Sequence, residues 1–187
     1  MKRYIRCKTR DVAFQFRMGA GFAGTVNRTH PANIEAALQN PTTPATAFGQ
    51  AVIASNDATN SVRAFGAGDA GVTIAYGVTV RPFPSQAPAG ATNAQQGLGA
   101  AVPSATGPID VLRDGYIMVQ LNPGQASPFK GQAVMVQTAV TQVVAGNTLK
   151  QGMFMTEATV AVATLDGRYS YNGPADANGI VEVVCNG

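Results

Sequence analysis

Twenty-one glycines and 11 prolines are scattered through the 187 residues and cut the chain into apolar runs too short for ordinary helices. Helix interiors favour Leu, Glu, Lys and Gln, whereas the apolar residues here are mostly Ala and Val. Between the breakers lie stretches of roughly four to eight residues, the length of a strand. In Tyr116-Ile117-Met118-Val119-Gln120-Leu121, residues Ile117, Val119 and Leu121 face one way, and Tyr116, Met118 and Gln120 the other. Runs of the same kind cover 50–54, 61–65, 72–80, 133–138, 158–164, with Val160 and Val162 sharing a face, and 179–185, where Val181 and Val183 oppose Glu182. The expected fold is therefore all-β: an antiparallel sandwich or barrel with long Gly/Pro-rich loops.

One helix is expected, two turns over 31–38, opened by Pro31, capped by Thr29 or His30 and ended by Asn40-Pro41. Residues 82–108 hold five of the 11 prolines, no charge and no strand pattern, which reads as an extended connection. It divides the chain into a lobe over 1–81, carrying a basic arm, and a lobe over 109–187, unless it interrupts a single sandwich.

Charge is unevenly placed. Lys2, Arg3, Arg6, Lys8, Arg10, Arg17 and Arg28 face one acid, Asp11, so residues 1–28 carry +6; the whole chain carries +3, which leaves −3 for the rest. A basic arm on a faintly acidic body suits an anionic partner surface. Cys7 and Cys185 stand near opposite ends, either free thiols or one bridge between terminal strands. The start MKRYIRCKTRD is too charged for a signal peptide, and no 18-residue apolar run occurs, so synthesis in a cytoplasm is expected.

Chemistry-bearing patterns are scarce. Gly19, Gly21 and Gly24 have G-x-G-x-x-G spacing, but no helical period follows them and no acid stands about twenty residues on, so they read as a loop between β elements. The one histidine, His30, sits in a polar loop, no serine lies in a G-x-S-x-G elbow, and the acids never cluster. Asp110 and Asp114 read as strand-flanking charges, and Asp166-Gly167 as a hairpin turn. No catalytic residue, metal ligand or cofactor is expected, which leaves binding through surfaces.

Five phrases, AFGQAVIA (47–54), GVTIAYGVTVRPFPSQ (71–86), DVLRDGYIMVQLN (110–122), KGQAVMVQT (130–138) and GPADANGIVEVVCN (173–186), occur in this order. Together they resemble the structural cement, or head decoration, proteins of tailed bacteriophages. The resemblance implies an all-β protein, commonly trimeric, on the outside of an icosahedral head, where it bridges neighbouring major capsid proteins. It offers no catalytic residues. It makes an acidic patch on the major capsid protein the expected partner of the arm, with Lys2, Arg3, Arg6 and Arg17 as contacts. It also implies a virion protein made in the cytoplasm of a bacterial host. Two rival readings use the same residues: another phage structural β protein, such as a head fibre or tail component, and a single-strand nucleic-acid binder. In the latter, Tyr4, Phe14 and Phe16 would stack bases among the basic side chains.

Overall fold

The longest strand, β5 (Pro108–Gln120), is the spine on which the other elements are hung. The computed structural model describes residues 21–28, 32–82 and 102–186. Along its first half β5 pairs antiparallel with β1 (Asn33–Leu38), from Leu38 opposite Pro108 to Asn33 opposite Asp114, with an irregularity that skips Arg113. Along its second half it pairs with β12 (Ile180–Cys185). Val111 and Leu112 also pair with β4 (Gly77–Thr79), which continues the sheet to β2 (Ala51–Ala54) and β3 (Val62–Ala64). At the other edge β12 carries β11 (Tyr169–Tyr171), giving seven strands drawn from both sides of the 82–108 connection.

A second sheet contains β6 (Met135–Gln137), flanked by β9 (Phe154–Met155) and β10 (Val162–Thr164). Strands β7 (Gln142–Val144) and β8 (Asn147–Leu149) form a ribbon of their own. The sheets are antiparallel and open, a sandwich and not a closed barrel. Ile117 and Val119 of the spine, with Leu121 just past its end, meet Val181 and Val183 of β12, Val136 and Phe154 of the second sheet, and Val134 just before β6, in one core. A smaller core gathers Ala37, Val52, Val62, Ile109 and Val111 at the far end of β5. Two buried tyrosines anchor β11: the Tyr171 hydroxyl donates to the Met155 carbonyl at 2.9 Å, and that of Tyr169 to the Ala75 carbonyl at 2.8 Å. Burial disfavours their phenolates and pushes Tyr169 up to about 12 and Tyr171 further still.

Several local expectations fail for identifiable reasons. Residues 33–38 form a strand, because a two-turn helix gains few hydrogen bonds while β5 offers a complete ladder partner. In the 158–164 run it is Ala163, followed by Leu165, that is buried, and Val160 and Val162 lie at the margin. Asp166-Gly167 turns the chain, with the Tyr169 amide donating to the Asp166 carbonyl at 3.0 Å. It joins strands of different sheets, β10 and β11, and closes no hairpin. Asp110 and Asp114 lie inside β5, not at its ends. Of the 72–80 run only 77–79 is strand, after a 3-10 turn at Ala67–Asp69.

Candidate interaction surface

The basic arm is rooted where residues 24–26 lie along β5. The Gly24 amide donates to the Met118 carbonyl at 2.7 Å, the Met118 amide to that of Thr25 at 2.9 Å, and Val26 bridges Ile117. Two glycines allow this approach: a Cβ on Gly24 would lie 2.7 Å from the Phe48 Cβ, and one on Gly49 2.6 Å from the Gly24 nitrogen. Gly24 also holds φ +84, a left-handed conformation that glycine adopts readily. Of the three glycines at fingerprint spacing, Gly24 thus serves a backbone crossing, Gly21 has open space around it, and Gly19 lies outside the described residues. Beside the crossing, the Arg81 guanidinium lies 5.1 Å from the Phe48 ring centre and 5.7 Å from that of Phe22, and its Nε donates to the Ala23 carbonyl at 3.2 Å.

Two arginines elsewhere also stack on aromatic rings, and each is paired with a carboxylate besides. Arg28 stacks 4.1 Å over Tyr116 and pairs with Glu182 at 3.0 Å, while Asn27 and Asn172 also donate to that carboxylate. Burial pushes the Glu182 carboxyl up, but these donors bring it below its ordinary value. Arg113 stacks 4.0 Å over Tyr76 and pairs with Glu35 at 3.0 Å; the Tyr76 hydroxyl, donating to the same oxygen at 2.9 Å, chiefly lowers that carboxyl. Arg63 grips Asp69 with two bonds of 2.6 and 2.8 Å. Arg168 pairs with Asp166. Asp57 binds its own loop, accepting from the hydroxyls of Thr59, Ser61 and Ser55, which together hold it well below the carboxylate range. The body's charges are consumed internally to a large degree.

Of the arm contacts inferred from sequence, Lys2, Arg3, Arg6 and Arg17 all lie outside the described residues, as do Lys8, Arg10, Cys7, Gly19, His30 and the aromatics Tyr4, Phe14 and Phe16. Cys185 is buried, and desolvation, with Asp114 nearby, pushes its thiol up to about 12. Among the described residues no group of three or more His, Cys, Asp or Glu side chains could hold a metal ion. An open cleft of about 350 Å³ runs between Leu121–Gln125 and Ala175–Gly179. Asp176 at its rim accepts the amides of Asn178 and Ile180 and so shapes the turn before β12.

The surface feature that sequence reasoning missed is apolar. Phe22, Ile34, Leu38, Ile74, Val102, Phe129, Val140 and Val143 are all large and exposed. Two groups have a defined setting. On β1, Ile34, Ala36 and Leu38 share one exposed face while Ala37 turns into the smaller core, and β1 pairs only with β5 among the described residues. On the β7–β8 ribbon, Leu149 faces inward and Val143, opposite Thr148, faces out. The signal was present in the sequence: residues 139–149, AVTQVVAGNTL, contain no charge.

The family model of the XM1 gp53 minor capsid protein matches residues 12–185. Among solved structures, a chain from the capsid of Myoviridae phage XM1 superposes with a TM-score of 0.59 at 17% identity, covering 88% of this chain and 89% of its own. At that identity the likeness is one of fold. No curated protein matches.

Proposed function

This chain belongs to the family of the XM1 gp53 minor capsid protein, and we propose that it serves its phage head as a cement protein. It is a structural component of a phage capsid. On the proposed reading it sits on the outer surface of an icosahedral head, bridges neighbouring major capsid proteins and works as a homo-oligomer, a trimer on the strength of the family resemblance. The observation that carries this reading is the body's surface: among the described residues eight large apolar side chains stand exposed, while half of the charged side chains are joined in ion pairs with one another. Such a surface suits burial against other subunits better than life as a lone monomer. The arm adds an electrostatic part, with Lys2, Arg3, Arg6 and Arg17 contacting an acidic patch.

Exposed ion pairs contribute only about 0.2–1 kcal/mol each, so occupancy on a lattice requires several acting together. Purified protein added to heads that lack it should co-sediment with them, and not with tails. Replacing Lys2, Arg3 and Arg6 together with Ala should weaken binding at low salt and flatten its salt dependence. Binding to tails alone would overturn the cement reading. Full decoration by the triple variant, with the wild-type response to salt, would remove the arm from it.

A further inference from the structure

Residues 24–28 join the body by contacts of two kinds, one at each end. At the first end the backbone is paired. The Gly24 amide donates to the Met118 carbonyl at 2.7 Å, the Met118 amide to the Thr25 carbonyl at 2.9 Å, and the Arg81 amide to the Gly24 carbonyl at 2.8 Å. At the other end the contacts converge on one carboxylate. Glu182 of β12 accepts from the side chains of Asn27, of Arg28 at 3.0 Å, and of Asn172, which follows β11. Arg28, lying 4.1 Å over the Tyr116 ring, is the one ion-pair partner of Glu182 among the described residues.

Little else holds this segment down. Its only buried residue is Gly24, which has no side chain; Thr25 and Val26 are half-buried, and Asn27 and Arg28 are exposed. Val26 packs at the margin of the main core. Opening the segment therefore forfeits hydrogen bonds and the Glu182 contacts but little apolar burial, the mark of a locally weak element. The strands beneath do not depend on it. Successive residues of a strand turn their backbone groups to opposite edges. The Met118 amide reaches the segment, while Val119 pairs with Val181 of β12 across the other edge. The β5–β12 pairing thus survives when the segment departs.

We propose that residues 24–28 are a strap that opens from β5 and recloses as one piece, with Glu182 as its latch. Hydrogen bonds to a charged group are stronger than neutral ones, so the Glu182 end carries a large share of the strap's hold. Arg28 is 49% exposed, so water reaches the latch without the core opening. Opening changes the reach of the basic arm. With the strap closed, the arm leaves the body at Gly24; with it open, the next described anchor is Asn33 in β1. Nine residues of chain add up to about 30 Å. The strap thereby sets how far Lys2, Arg3, Arg6 and Arg17 extend from the body. That last consequence rests on the arm part of the reading above; the strap and its latch do not.

Backbone amide hydrogen exchange of the full-length protein tests the strap residue by residue. In wild type the Met118 amide should exchange at least tenfold faster than that of Val119, since the strap alone frees the first and only opening of the sheet frees the second. Glu182→Gln should speed Met118 by a further tenfold or more and leave Val119 unchanged. Arg28→Ala, an exposed substitution on the strap itself, should act in the same way. The double variant should fall short of the product of the two single effects, because both remove the same ion pair. If Glu182→Gln disturbs the turn that carries Asn172, Arg28→Ala is read in its place. The proposal is overturned by a Met118 amide that exchanges at the rate of Val119 in wild type, that the variants do not accelerate, or that they accelerate only together with Val119. Failure of the cement reading appears separately, as wild type that does not pellet with heads, and leaves these exchange rates untouched.

Discussion

Replacing Asn122 with Ala tests whether the ribbon is held as the structure implies. Asn122 is buried and makes three hydrogen bonds: to the Gln137 side-chain oxygen at 2.8 Å, to the Lys150 carbonyl at 3.1 Å and from the Lys150 amide at 2.8 Å. Each contributes about 1 kcal/mol net, and the substitution also strands the Gln137 Oε1 in a fully buried position, so the loss is about 2–4 kcal/mol. For a chain of this size that lowers the thermal midpoint by roughly 5–15 °C. The damage is local first. The ribbon's amides, Val143 and Thr148 among them, should lose hydrogen-exchange protection in the variant while Val119 and Val183, in the paired centre of the large sheet, keep theirs. If the midpoint moves by less than about 0.5 kcal/mol equivalent and the ribbon exchanges as before, the polar clasp does not position it.

Gly24→Ala should destabilise by about 3 kcal/mol or more, because a positive φ and a Cβ contact of 2.7 Å with Phe48 act together. Gly21→Ala, with open space around it, carries only the backbone penalty, and thermal melts should separate the two. Asp57 titrates lower in the fold than in the unfolded chain, so its contribution is present above the unfolded pKa near 4 and is lost as pH falls through the depressed folded value. Melting points should therefore drop in strong acid, and less steeply in Asp57→Asn. Cys185 is raised to about 12, so the stability linked to its protonated thiol is present below the unfolded value of about 8.5 and disappears as pH climbs towards 12. In a Cys7→Ser variant the remaining thiol should resist a thiol reagent at pH 8 when folded and react at once in denaturant.

Legibility followed periodicity. Ile117, Val119, Leu121, Val181 and Val183 announce their burial by strict alternation, and all five line the main core. The same rule fails at 31–38, where Asn33-Ile34-Glu35-Ala36-Ala37-Leu38 suits a short helix as well as a strand by local preference. The decision belongs to β5, seventy or more residues away. It fails again at Ala163, a small residue whose burial depends on what the facing sheet leaves room for. The candidate surface was harder to read, because exposure is a tertiary property. Val143 is exposed and Val136 is buried, yet both lie in uncharged valine-containing runs. The polar clasp of Asn122 and Gln137 had no sequence signal, since its partners are backbone carbonyls brought together only by the fold.

Charge and apolarity are allotted to different parts of this chain, and that division makes the proposed contacts separable by salt. The described body carries seven basic and nine acidic residues, and eight of these sixteen are joined in four ion pairs. The six basic residues from Lys2 to Arg17 face only Asp11. An apolar contact between copies is insensitive to simple salt or strengthened by kosmotropic anions. An arm bound to an acidic capsid patch is screened over about 10 Å at 0.1 M and weakens as salt rises. Raising sodium chloride should therefore strip intact oligomers from heads before the oligomers themselves dissociate, and sedimentation of the released material reads the order directly. Release as monomers would mean that the contact between copies is itself electrostatic, and would overturn the assignment of the exposed apolar side chains to that contact.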